Sequence, residues 1–142
     1  MRSKGRMREL AIRYEPEPVD EVGKLWFHCK TESFSGTAFF WSNLAELRRV
    51  ISRLECYPFG DQARWTWGYN SAEGSDLVLA VSIEQDGSAG RLKASVEMSD
   101  LHDPSCRLTT NFQTEYNALD TLRAGLELIV AHRSGEAFLR GH

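Results

Sequence analysis

The chain has 142 residues and a mass of 16.1 kDa, the size of one hydrophobic core, so a single domain over 1–142 is expected. Its 42% hydrophobic and 26% charged content excludes a disordered or fibrous chain, and no run approaches the roughly 18 apolar residues of a membrane span. The net charge of −3 conceals an asymmetry, because Arg2, Lys4, Arg6 and Arg8 form a basic leader over 1–8 and leave 13 basic against 20 acidic residues, net −7, in 9–142.

In chain order, alternation of apolar residues predicts strands over 8–14, with Leu10, Ile12 and Tyr14 inward, and over 24–31, with Leu25, Phe27 and Cys29 inward. A loop with Pro16, Pro18, Asp20 and Gly23 separates them. A third strand, 34–40 around Gly36, continues into a stretch apolar on both faces. Phe39 and Trp41 there have the opposite phase to Ala38 and Phe40, leaving one face for a partner or a second subunit. Leu44, Leu47, Val50, Ile51 and Leu54 recur at helical spacing, predicting a helix over 43–55, with Ser42 or Asn43 as cap and Glu46 in capping-box position.

Residues 62–69 follow as a strand with Trp65, Trp67 and Tyr69 on one face. Facing the helices, that row is core; exposed, it is a stacking platform. Strands over 77–83 and 92–98 flank Asp86-Gly87 as a hairpin, and Asp103-Pro104-Ser105 turns the chain into a strand over 108–112. A second helix, 116–133, carries Tyr116, Leu119, Leu122, Leu126, Ile129 and Val130. Thr114 or Asn117 is its expected cap, Gly135 its stop, and 135–142 a tail. The order predicts an α+β fold: a largely antiparallel sheet with two amphipathic helices packed on one face, a two-layer sandwich. Without βαβ alternation or a glycine-rich phosphate loop, the doubly wound nucleotide folds are excluded.

Chemistry-bearing groups are sparse. Cys29, Cys56 and Cys106 are far apart with no CxxC pair, so they are expected as small buried hydrophobes, with no disulfide framework, no metal and no cofactor. The densest polar cluster is Asp100, His102 and Asp103, which could serve a general base or a metal but equally suits a turn. Cys106 with His102 has the composition of a nucleophile and base, and His28 and Cys29 point to opposite strand faces. No catalytic residues are assigned, and no enzyme activity is expected.

Several segments together resemble the WapI-type bacterial immunity proteins. They are Phe34-Ser35-Gly36, Asn43-Leu44-x-x-Leu47, Leu77-Val78-Leu79, the Gly87 hairpin, Val96-Glu97-Met98-Ser99-Asp100 and the stretch from Leu108 through Phe112, Thr114 and Tyr116 to Leu119. The similarity covers roughly 24–132; Trp65-Thr66-Trp67, a glycine-containing insertion before Asp76 and the segment after Gly135 depart from the pattern. The resemblance implies a non-catalytic protein that neutralises a contact-dependent toxin by occlusion, with no catalytic residues to carry over.

The expected partner is therefore a protein, in the form the resemblance implies a basic toxin domain, with no nucleic acid and no membrane; a homodimer is compatible. The acidic Glu15, Glu17, Asp20 and Glu21 loop, with Glu73, Asp76 and Trp41, are the candidate contacts. The competing expectation is a small-molecule-binding or enzymatic domain with a pocket between sheet and helices. No apolar run follows the basic leader, so no secretory signal is expected and the cytoplasm is the expected compartment.

Overall fold

Residues 7–18, 22–55, 63–69, 76–87 and 90–142 are described by a computed structural model of the chain. In order they form β1 (Arg8–Pro16), β2 (Val22–Lys30), β3 (Ser35–Asn43), α1 (Leu44–Glu55), β4 (Ala63–Tyr69), β5 (Asp76–Gln85), β6 (Arg91–Ser99), β7 (Arg107–Glu115), α2 (Tyr116–His132) and β8 (Gly135–Gly141). The fold is α+β with antiparallel pairing throughout. Its strands divide into two sheets of four rather than one, ordered β3, β2, β1, β8 and β4, β5, β6, β7. The division is invisible to periodicity, which reports which face of a strand is buried and not which sheet holds it.

β8 is the reason the first sheet has four strands. In the segment expected as a tail, residues 135–141 instead pair with β1, from Arg8 opposite Gly141 to Tyr14 opposite Gly135. Ala137 and Leu139 bury their side chains while Phe138 and Arg140 face out, the same period of two seen in the other strands.

The inward phase of each strand feeds one continuous core. Leu10, Ile12 and Tyr14 of β1, Leu25, Phe27 and Cys29 of β2, and Ala38 of β3 meet Leu79, Val81, Ile83, Leu92, Ala94, Val96, Met98 and Phe112 of the second sheet. Trp65 and Trp67 are buried, and the Trp67 ring sits 5.2 Å from that of Phe27, joining the two sheets.

The helices complete the core with Leu47, Val50, Ile51 and Leu54 of α1 and Leu119, Leu122, Leu126 and Ile129 of α2. α1 starts where Asn43 Oδ1 accepts the Glu46 amide at 2.9 Å, and Ser42 Oγ donates to the Glu46 carboxylate at 3.1 Å, closing the box through the hydroxyl. α2 begins differently. Its N-cap is Glu115, with no side-chain cap bond, and Thr114 Oγ1 donates to the Arg140 carbonyl of β8 instead of capping. The helix ends on Arg133 in the left-handed region, φ 62°, and Gly135, φ 134°, makes the turn into β8. Packing against β8 is close: a Cβ on Gly125 would stand 2.8 Å from the Ala137 Cβ.

β7 runs across the end of the first sheet and holds the two sheets together. Leu108 lies against Gly36 of β3, Arg8 of β1 donates Nη1 to the Asn111 carbonyl at 2.6 Å, and Gln113 exchanges two backbone hydrogen bonds with His142, at 3.0 and 2.9 Å. Gly141 is packed so tightly on Phe112 and the Gln113 carbonyl that no side chain fits there.

Candidate functional site

The outward phase of the first sheet carries the most distinctive surface among the described residues. Register places Trp41, Lys24 and Glu15 in one cross-strand row and Phe39, Trp26 and Arg13 in the next. The Trp26 and Phe39 rings are 5.0 Å apart, and Phe39 meets Trp41 edge-on at 6.1 Å. Lys24 holds its ammonium over three rings, 5.8 Å from Trp26, 5.2 Å from Phe39 and 5.5 Å from Trp41, and the Arg13 guanidinium lies 5.4 Å above Trp26. Trp26 Nε1 donates to Glu15 Oε1 at 3.3 Å. On the far strand Arg140 covers Phe138 at 4.6 Å and pairs with Glu9 at 2.7 Å.

These rings are not hidden by their cations. Trp26 and Phe39 are half-buried, and Trp41 keeps 38% of its surface in contact with solvent. His102, from the turn between β6 and β7, reaches the same cluster, its ring 6.0 Å from Phe39. His28 stands behind, its Nδ1 hydrogen-bonded to Thr37 Oγ1 at 2.7 Å.

Of the partner-contact residues expected from sequence, Glu15 and Trp41 come together on this face, and Glu17 is half-buried just beyond the end of β1. Asp76 opens β5 in the other sheet, and Asp20, Glu21 and Glu73 lie outside the described residues. The acidic character expected of the loop does not extend onto the aromatic face: Arg13 approaches Glu15 to 4.0 Å, and the rings are topped by cations. Trp26 was legible and passed over. It is a large aromatic in the polar phase of a strand, between Lys24 and His28, where a solvated face calls for small or charged residues.

The polar cluster is a turn. The Asp100 carboxylate accepts the His102 amide at 2.8 Å, and the Asp103 carboxylate accepts Ser105 Oγ at 2.6 Å and the Ser105 amide at 3.2 Å. Hydrogen bonds from Ser105 and Cys106 hold the Asp103 carboxyl below the usual carboxylate range. Cys106, expected buried, is exposed because it sits in this turn, and Cys56 lies outside the described residues. The Cys106 thiol donates to Asp103 Oδ2 at 3.4 Å; that bond and the carboxylate charge push the thiol up, the reverse of what activates a nucleophile. Cys29 is buried, and burial pushes its thiol up to about 11. Among the described residues, no three His, Cys, Asp or Glu side chains converge to hold a metal ion, and no helix is long and apolar enough to cross a membrane.

A cleft of about 470 Å³ opens where β3 meets β6 and β7, lined by Phe34, Gly36, Met98, Leu108 and several hydroxyl groups. It lies between the two sheets, whereas sequence placed a pocket between sheet and helices. Comparison with known proteins finds no matching family model, no matching curated protein and no matching solved structure.

Proposed function

We propose that the chain is a non-catalytic protein-interaction module whose docking surface is the outer face of the first sheet, centred on Trp26, Phe39 and Trp41. The observation that carries this reading is three clustered aromatic side chains on the solvent side of a four-stranded sheet, with Trp41 38% exposed. Tryptophan and arginine are the residues that most often dominate interface energetics, and a preformed cluster loses little entropy on binding. Several of the described groups that could support chemistry are otherwise engaged: Asp100 and Asp103 build a turn, Cys106 is held as a thiol and His28 is bonded to Thr37.

The resemblance to WapI-type immunity proteins supplies the partner class, a toxin domain neutralised by occlusion. In that form a rigid sheet face covers the toxin's working surface, and charges around the rings set speed and selectivity. The test is affinity capture from the native cell lysate with tagged protein at low and moderate salt, with a single-stranded oligonucleotide as competitor. A stoichiometric protein partner insensitive to the oligonucleotide supports the reading. Preferential binding of the oligonucleotide, or of no macromolecule at all, contradicts it.

A further inference from the structure

Backbone directions at the cleft between β3 and β7 follow from bonds the chain already makes. Within an antiparallel ladder, alternate residues turn both N–H and C=O to the same side. Gln113 exchanges both bonds with His142, and the Asn111 carbonyl accepts Arg8, so the odd residues of β7 face away from β6. The Asp100 to Cys106 bond at the hairpin end fixes the same phase, with even residues turned toward β6. Arg107 and Thr109 therefore direct their amides and carbonyls outward, into the cleft.

The same argument applies across the gap. The Thr31 amide bonds to the Phe34 carbonyl, so even residues of β3 face β2, and Ser35 and Thr37 turn their backbone groups to the open edge. Among the described residues, neither edge has a strand paired with it at these positions. Gly36, Met98 and Leu108 form an apolar floor between them.

We propose that this cleft takes an extended polypeptide segment of a protein partner by strand addition to β7. Donor and acceptor pairs recurring at every second residue match the repeat of a peptide backbone, and the apolar floor selects alternate aliphatic side chains. The chain itself demonstrates the pairing one step along: His142 already occupies the Gln113 position of the same edge, and the incoming strand continues that line past Asn111. The site adjoins the aromatic face through Thr37 and the turn that carries His102, but it uses backbone groups of β7 rather than the rings, so its test does not depend on that face.

The test is an amide NMR titration of the full chain with a blocked heptapeptide, Lys-Val-Thr-Val-Thr-Val-Lys, and with a twin N-methylated at every backbone nitrogen between the lysines. The expected result is saturable shifts centred on Arg107 to Thr110, with binding at least about tenfold weaker for the methylated twin, the loss of one to two hydrogen bonds. Thr109→Pro, which removes an amide not used in the ladder with β6, is expected to weaken the unmethylated peptide to a similar degree. The methylated twin on the unaltered chain decides the matter if that variant fails to fold. No shifts at millimolar peptide, equal binding of the twin, or shifts centred elsewhere would overturn the proposal.

Discussion

Trp26 and Phe39 stand on neighbouring strands with ring centroids 5.0 Å apart, on the side of the sheet that faces away from the core. Ordinary solvated sheet faces carry polar residues in that phase, and the partners of this pair, Lys24 and Arg13, lie over the rings instead of bonding only to water. The sheet thereby presents a rigid, amphipathic platform without drawing on the core residues beneath it. Separation of platform and core implies that surface variants can abolish the proposed docking while the fold survives, and that core variants act on stability.

Phe27 is fully buried and meets Trp67 across the two sheets. Phe27→Ala is expected to cost about 3–5 kcal/mol, since the cavity lies where both sheets must close on it. Urea unfolding followed by tryptophan fluorescence measures this directly.

Gly125 admits no side chain without moving Ala137. Gly125→Val places branched bulk between α2 and β8 and is expected to lose about 1–3 kcal/mol, despite removal of a helix-interior glycine. Restoration by a compensating Ala137→Gly would identify the contact as the cause, read by thermal melts of the single and double variants.

Asn43 caps α1 through its side chain, so Asn43→Ala is expected to cost about 0.5–2 kcal/mol, with Asn43→Asp retaining most of the stability. A cap at Ser42 or Asn43, the Asp86-Gly87 and Asp103-Pro104-Ser105 turns and the inward faces of β1, β2 and β6 were all legible in sequence, because each shows in the spacing of a few neighbouring residues. Partition of the strands into two sheets was not, nor was the return of the C-terminal segment to β1. Ala137 and Leu139 alternate with Phe138 and Arg140, but so short and polar a segment becomes a strand only when β1 is there to receive it. The aromatic face was half legible: Phe39 and Trp41 showed their phase, whereas His102 reaches Phe39 only through the folded turn.

Stability is expected to fall in alkali. Burial raises the Cys29 thiol to about 11, from an ordinary value near 9, and raises the Tyr14 phenol as well. Both groups favour the folded state while protonated, so their contribution is complete below the unfolded-state values and is lost as pH rises through the folded ones. Unfolding midpoints from pH 8 to 11 should therefore decline, and Cys29→Ala should flatten part of that decline. Cys106 behaves oppositely on substitution of its neighbour: Asp103→Asn removes the charge that disfavours the thiolate, so modification by a thiol reagent near pH 8 is expected to accelerate.

The most direct test of the proposed docking surface is the affinity of the captured partner for the Phe39→Ala, Trp41→Ala double variant relative to the unaltered chain, with unfolding measured alongside. Dissociation constants are expected to rise at least about 30-fold, the equivalent of one hot spot, while stability changes by about 1 kcal/mol or less. Unchanged affinity in a folded variant would contradict the assignment and move the interface off the first sheet.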